Sequence, residues 1–545
     1  MDFINKFSKI NSSFEIHDSI IYFTYSSFIS VDSFHLNDLA DEIIKSGFAI
    51  CIMNSECVFQ CRSNKEVKFY AQTYVDDQQL EHVEFISDKG EYLRLSDGNE
   101  NYNYFYGAYM KHLSELRLFN KDSLTKYIKI YLDDFVIEID EFEFLVNPEI
   151  SVYEDGIVII KYGLVYNSLD LDVFSYIDNI LNSSFKNINK LLVSPYFCKL
   201  ASIAYGSFNK VPFYKRYEHL GIEKRHCIEV DKLTINYEFG EEVIKLIELP
   251  RKSGEREDFS TITQTILNVI GYISVTPNKG MRYILLGQKN IIPNGEYWSG
   301  RPYVYLINFT KNYNDSNRNN KVHSKYFSML LARTSGSDFN GKSLHDLRVF
   351  NDISVFIESS GGLVVFSKNV DEIATIENYI IDYELINQYL EYGYMINKLL
   401  LQKVYDSKNN EDIFILRWRV NMINSLGENT YVGEFRDLLK HGWKEYGIEN
   451  IQKQIYEAIE ISKDENQYRY TRQANRRNLM VMILFGLMAI PTISETIIKP
   501  IWIYFGIYLP KAIVFQSLFF FLVTMSLIFI LVVPSYWLII RSTKK

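Results

Sequence analysis

Between Leu479 and Ile540 only Glu495, Lys499 and Lys511 carry charge, and a run this apolar excludes a wholly water-soluble C-terminal region. Leu479–Ile498 supplies 20 residues, interrupted by Pro491, and such a helix is about 30 Å long, one hydrocarbon thickness. Ala512–Ile540 supplies 29 residues, about 44 Å as a helix, so it is expected to tilt or to kink near Pro534. The segment Lys499–Lys511, rich in Trp, Tyr and Lys, suits the headgroup level. A C-terminal two-helix transmembrane hairpin over 479–541 is therefore expected. Arg472, Arg476 and Arg477 precede it, and Arg541, Lys544 and Lys545 follow it. Positive flanks stay inside, so a multi-pass inner (cytoplasmic) membrane protein with both termini cytoplasmic is expected.

The remainder is too long and too apolar to be disordered: the chain has 545 residues, 47% of them hydrophobic and 15% aromatic. Its net charge is −9; setting aside the hairpin (+1) and the tail (+3) leaves −13 on residues 1–478. An acidic surface disfavours phosphate-backbone binding, so no nucleic-acid partner is expected, whereas a small nucleotide in a local pocket is compatible. Five cysteines without paired spacing fit a reducing compartment. The start Met1–Lys6 lacks the basic and apolar pattern of a leader.

The fold class expected is an α+β cytosolic region of mixed α/β domains, followed by long helices and the hairpin. The divisions are an N-terminal α/β domain (1–145), a second α/β domain (146–370), a helical stalk (371–478), the hairpin (479–541) and a basic tail (542–545). Ser19–Tyr25 reads as a strand and Leu36–Ser46 as a helix. Phe135–Val146 reads as one half-exposed strand; Glu138 and Asp140 on one face suit either a divalent cation such as Mg²⁺ or plain solvation. Asp155-Gly156 should turn a hairpin over Ile150–Tyr162, and Asn167–Asn182 should hold a helix. Tyr303–Phe309 and Tyr326–Arg333 read as strands, and Ile353–Phe366 as a hairpin turning on Ser359–Gly362. Long helices are expected over Asp371–Tyr405 and Glu449–Asn478, the second running into the first span.

Gly336-Ser337-Asp338-Phe339-Asn340-Gly341-Lys342-Ser343 matches G-x-x-x-x-G-K-S. In a phosphate-binding loop Gly336 and Gly341 would offer amides, Lys342 would meet phosphate oxygens and Ser343 would hold Mg²⁺; the alternative is an ordinary polar turn. Cys51, Cys57 and Cys61 lack the histidine partners of a zinc site, and His226-Cys227 does not form a nucleophile pair. The aromatic run Tyr102–Tyr109 reads as a packed loop that could also stack a base. Without a recognisable catalytic constellation, no covalent catalysis is expected. In the first span Asn475, Asn478, Met482, Phe485, Ala489 and Thr492 fall on one helical stripe, read either as a pore lining or as a packing face, with Glu495 as a mouth carboxylate. A single hairpin cannot enclose a conduit, so a homo-oligomer in the lipid bilayer is implied.

This layout resembles the CorA family of divalent-cation channels over residues 370–545: a long helix continuing into the first of two C-terminal spans, Asn475-Arg476-Arg477-Asn478-Leu479 leading through to Pro491, a short outer loop and the tail Arg541-Ser542-Thr543-Lys544-Lys545. Where that family carries Gly-Met-Asn, this chain has Ser494-Glu495-Thr496. The large N-terminal part is similar to the divergent CorA-like membrane effectors of type III CRISPR systems. That resemblance implies antiviral defence triggered by a nucleotide second messenger, such as an adenylated S-adenosylmethionine, bound within residues 1–370. A divalent-cation transporter and a membrane-anchored nucleotide hydrolase using 336–343 are the competing readings.

Overall fold

The computed structural model describes residues 14–29, 35–75, 81–94, 100–119, 124–140, 142–208, 235–239, 242–249, 257–275, 300–310, 316–336, 339, 341, 343–348, 350–368, 370, 373–406, 414, 418, 421, 430–505, 516–527 and 529–530. These residues form a sheet-rich N-terminal region with long helices toward the C-terminus, in two compact units: one within Met1–Asp406 and Phe414–Ala458, the other within Ile459–Lys545.

A mostly antiparallel sheet organises the first unit. Its principal path runs β15 (Ile353–Glu358), β16 (Gly361–Phe366), β14 (Arg301–Phe309), β1 (Glu15–Phe28), β10 (Ile157–Asp172), β9 (Phe142–Tyr153), β7 (Tyr127–Tyr131), β2 (Cys51–Asn54), β3 (Val58–Cys61), β4 (Asn64–Val75), β5 (Glu81–Ser87) and β6 (Tyr92–Leu93). The first half of β9 also pairs β8 (Phe135–Ile139), which leads through β11 (Lys190–Val193) to β13 (Glu242–Glu248) and β12 (Ile235–Phe239). The β14–β16 pair is parallel.

Strand side chains alternate between faces, and here the two faces differ in chemistry. One face is apolar: Ile21 and Phe23 of β1, Val158 and Ile160 of β10, Ile150 and Val152 of β9, and Ile128 and Ile130 of β7 join a single core. Helices that contribute to that core include α1 (Leu36–Ser46), α3 (Pro195–Phe208), α4 (Phe259–Val275) and α5 (Ser316–Ala332), the last through Phe327 and Leu330. The alternate residues of the same strands (Thr24, Ser26, Lys161, Glu149, Ser151 and Lys129) are polar yet equally buried. Helices α2 (Glu100–Leu118), α6 (Ile373–Asp406) and α7 (Gly433–Glu445) belong to this second face. In α7 Gly442 lies against Leu390, where a Cβ would sit 2.6 Å from Leu390 Cδ2, so the two helices meet closely.

Strand β1, the helix at Leu36–Ser46, the Asp155-Gly156 turn, the hairpin at Ile353–Phe366 and the helix beginning at Ile373 agree with the sequence reading. Tyr326–Arg333 is corrected from strand to the end of α5, because its apolar residues point into the core along a helix. The aromatic run at Tyr102 is corrected from loop to α2, where Tyr102, Phe105 and Ala108 share a buried face. Phe135–Val146 is two strands turning at Asp140, which has φ 55, and the Asp140 carboxylate accepts from Lys186 Nζ at 2.9 Å. Asn167–Asn182 is strand as far as Asp172, whose side chain caps a short helix at Val173–Tyr176. The expected boundary at 145/146 is also corrected: it falls inside β9, and the sheet runs through both halves.

The last elements are α8 (Ile448–Ile493), a π turn at Ser494–Ile498, α9 (Lys499–Tyr504) and α10 (Gln516–Leu527). The helical run Ile448–Tyr504 spans 57 residues and is long and apolar enough to cross a membrane. Gln516–Leu527 is apolar but shorter, and most of the expected second span, Ala512–Ile540, lies outside the described residues.

Gly156 has φ 87, and a Cβ there would lie 2.6 Å from the Ile29 carbonyl oxygen. Gly156→Ala should therefore destabilise the sheet unit by about 1–3 kcal/mol, read as a lower unfolding midpoint of the detergent-solubilised chain.

Candidate functional site

The buried polar face carries paired charges that the strands and helix α6 bring together. Two rows of side chains cross the sheet. Arg301, Thr24, Lys161, Glu149 and Tyr131 are successive cross-strand partners, and Ser26, Ile159, Ser151 and Lys129 form the next row. Helix α6 lowers Glu384, Gln388 and Glu391 onto these rows, all of them buried.

At one end Arg301, 1% exposed, donates from Nη1 to both Glu391 oxygens, at 2.7 and 2.8 Å, and from Nε to the Ser359 carbonyl at 3.0 Å. Glu391 also accepts from Ser26 Oγ at 2.9 Å and Tyr303 OH at 2.9 Å. Burial opposes the Arg301 charge, but Glu391 and the neighbouring tyrosines hold its pKa above the ordinary value. The guanidinium lies 3.9 Å from the centre of the Tyr446 ring and 4.7 Å from that of Tyr394. The Tyr446 hydroxyl in turn bonds that of Tyr303. Tyr446 is the C-cap of α7, and only Gly447 separates it from the first residue of α8. The ion pair thus ties β14, α6 and the root of the long C-terminal helix.

In the middle, Lys161 lies 2.8 Å from Glu149 Oε1 and bonds Glu384, while Lys111 of α2 pairs with Glu149 and, at 3.3 Å, with Glu384. Burial works against both carboxylates, yet Lys111 and Lys161 keep Glu149 and Glu384 below the usual range. At the far end Glu115 is wholly buried and accepts from Tyr389 OH at 2.6 Å and from Tyr127 OH, with His112 Nδ1 3.6 Å away. Burial again opposes its charge, while His112 and Lys129 lead the interactions that hold it below the carboxylate norm. Lys129 Nζ makes no hydrogen bond among the described residues and sits 5.6 Å from the Tyr127 ring centre; burial pulls its pKa down.

No family model, curated protein or solved structure matches the chain.

This layer is hard to see in the sequence because single polar residues such as Lys129, Glu149 and Lys161, alternating with apolar ones along a strand, resemble a solvent face. The signal that marks it is α6, whose Glu384, Gln388 and Glu391 recur at the spacing of one helical face in an otherwise buried helix. Among the described residues no cluster of His, Cys, Asp or Glu is arranged to hold a metal ion. Of 336–343, Ser337, Asp338, Asn340 and Lys342 lie outside the described residues. Gly336 follows α5 rather than a strand, a Cβ on Gly341 would sit 3.4 Å from Lys325 Cα, and Ser343 opens no helix. The strand–loop–helix setting that a phosphate loop needs is thus not the one around Gly336, Gly341 and Ser343. His226 and Cys227 lie outside the described residues.

In the second unit Asn475, Asn478, Met482, Phe485, Thr492 and Glu495 are exposed and Ala489 is half-buried. The buried positions are Ile490 and Ser494, and α10 buries Phe520 and Thr524, with Trp502 of α9 5.4 Å from the Phe519 ring. The stripe therefore avoids the buried side of the helix. Glu495, expected as a mouth carboxylate beyond the stripe, falls in the π turn.

Removing one member of a buried pair strands the other, so Arg301→Met should cost about 3–5 kcal/mol and Arg301→Met with Glu391→Leu markedly less, measured by denaturant unfolding. The depressed carboxylates contribute stability above the unfolded glutamate pKa, which is lost as pH falls through the folded values. Glu115→Gln should accordingly flatten the acid limb of a stability–pH profile below about pH 4.5, and an unchanged limb would contradict the assignment.

Proposed function

We propose that this chain is a homo-oligomeric, CorA-like membrane channel or membrane-disrupting effector, opened by a small nucleotide ligand acting on its sheet unit and serving antiviral defence. In this reading 479–541 cross the bilayer twice with both termini cytoplasmic. Asn475, Asn478, Met482, Phe485, Ala489 and Thr492 line the conduit, Glu495 stands at its mouth, and the chain performs no covalent catalysis.

The observation that carries the proposal is the continuity of α8. It starts two residues beyond the Tyr446 clamp on Arg301 and continues as helix into the apolar stretch that begins at Leu479. A ligand gates only if it favours one state over another, which requires a bistable element at the helix root. The Arg301–Glu391–Tyr303–Tyr446 cluster supplies fixed contacts that a ligand-bound state would keep or exchange. Support for the membrane role comes from large apolar side chains standing open on α8: Met482 is 65% exposed and Phe485 69%. Such surface is unfavourable in water and needs lipid or further copies to cover it.

The test is cation flux from liposomes containing the full chain, with nucleotide second messengers added or withheld. Flux that appears only with a nucleotide is expected, and no flux under either condition overturns the proposal. Tyr446→Phe keeps the ring over Arg301 but loses the hydroxyl bond to Tyr303, so it should shift the nucleotide midpoint while leaving assembly intact. Asn478→Ala and Glu495→Gln should change flux or ion selectivity at an unchanged subunit number; unchanged flux in both would remove the lining assignment.

A further inference from the structure

Three of the cysteines sit in one hairpin. Cys51 of β2 and Cys61 of β3 are direct cross-strand partners, with Ile52 opposite Gln60 and Met53 opposite Phe59. Cys57 lies in the connecting turn with φ 58. In an antiparallel ladder, opposite residues alternate between those that exchange backbone hydrogen bonds and those that do not. Ser55 N–H donates to the Tyr127 carbonyl at 3.0 Å, which places Cys51 at a position whose backbone groups face Tyr131 of β7, and on the β3 side Arg62 N–H reaches the Ile50 carbonyl at 2.8 Å. Cys51 and Cys61 are therefore a non-exchanging pair. Such pairs have their Cα atoms about 4.5 Å apart with side chains on the same face, and a disulfide spans Cα separations of about 4.4–6.8 Å. Both thiols are free here, Cys51 fully buried and Cys61 2% exposed.

On its Cys61 side the pair lies next to a surface residue. The Cys61 sulfur lies 3.4 Å from Ser63 Oγ, and Ser63 is an exposed residue of the β3–β4 turn. Cys51 is flanked by Tyr131 of β7 on its other side and is fully buried.

We propose that Cys51 and Cys61 form a redox-modification site, in which a peroxide oxidises Cys61 and Cys51 resolves it into a cross-strand disulfide. The Cys61 sulfur attacks one peroxide oxygen, the O–O bond breaks, and the leaving oxygen takes a proton to become water, giving a sulfenic acid. The Cys51 sulfur then attacks the Cys61 sulfur, and the sulfenic oxygen leaves as a second water. Two thiols have lost two electrons and hydrogen peroxide has gained them. The bond closes the hairpin across its short turn, fixing the pairing of β2 with β3.

The test uses the full-length chain in detergent, with Cys57, Cys198 and Cys227 each replaced by serine so that only the pair remains. After incubation with hydrogen peroxide the protein is denatured, alkylated with N-ethylmaleimide and mapped by mass spectrometry. A Cys51–Cys61 linked peptide carrying no maleimide is expected. Cys51→Ser in that background should leave Cys61 as a dimedone-reactive sulfenic acid, and Cys61→Ser should leave Cys51 unoxidised, which separates attacked from resolving sulfur. The proposal is overturned if both thiols remain alkylatable at a peroxide dose that oxidises Cys57 in the native-cysteine chain. It is equally overturned if the native-cysteine chain links Cys57 to either partner instead. Near-ultraviolet circular dichroism of each serine variant establishes that the hairpin tested is folded.

Discussion

Helix α6 has to bury carboxylates, and the architecture of the sheet unit follows from how their charge is met. Glu384 and Glu391 are 3% and 0% exposed, a placement that leaves an ionised group unstable unless cations and hydrogen-bond donors surround it. The partners come from distant parts of the chain: Lys111 from α2, Lys161 from β10, Arg301 from β14 and Ser26 from β1. Each pair is satisfied only when these elements are in register. The layer therefore contributes less to net stability than its number of contacts would indicate and more to the uniqueness of the arrangement. Hydrophobic packing on the opposite face supplies adhesion without comparable discrimination.

A tyrosine scaffold completes the layer. Tyr127, Tyr153, Tyr303, Tyr389 and Tyr392 are buried, and each hydroxyl has a partner, from Glu115 for Tyr127 and Tyr389 to Gln388 for Tyr153 and Asp155 for Tyr392. A phenol places an apolar ring against the sheet and a polar tip against the charges, so it suits a boundary between the two. Burial raises the pKa of Tyr153 and Tyr303, which keeps their hydroxyls protonated and able to donate.

Much of the fold was legible because its signals are local. Asp155-Gly156 announces a turn that needs positive φ, and the proline-free apolar recurrence after Asp371 announces α6. What was not legible depends on partners far apart in sequence. The run Tyr326–Arg333 is too short to show a period, and the polar Ser316–Lys325 that precedes it hides the seventeen-residue helix to which it belongs. Tyr102, Phe105 and Ala108 carried a helical spacing that the tyrosine-rich composition concealed. At the site, Lys129 and Lys161 look like solvent-facing strand residues until α6 covers them, and no short motif records that Glu391 will meet Arg301. The stripe on α8 was visible as a pattern, because a helix carries its own periodicity, but the π turn that carries Glu495 was not.

The position of β1 between β10 and β14 sets a schedule for synthesis. Its β14 neighbour, Arg301–Phe309, is made more than half a chain after it. At about 5–20 residues per second, the wait is roughly 15 to 55 seconds. During it β1 can pair with β10 but shows an open edge where β14 will lie, and Ser26 and Tyr22 have no lid. The apolar stretch from Leu479 leaves the ribosome only after β14, β16 and α6 are all available. Chain order thus makes every strand and helix of the charged layer available before the apolar stretch appears, in a sheet whose earliest strand is an interior one.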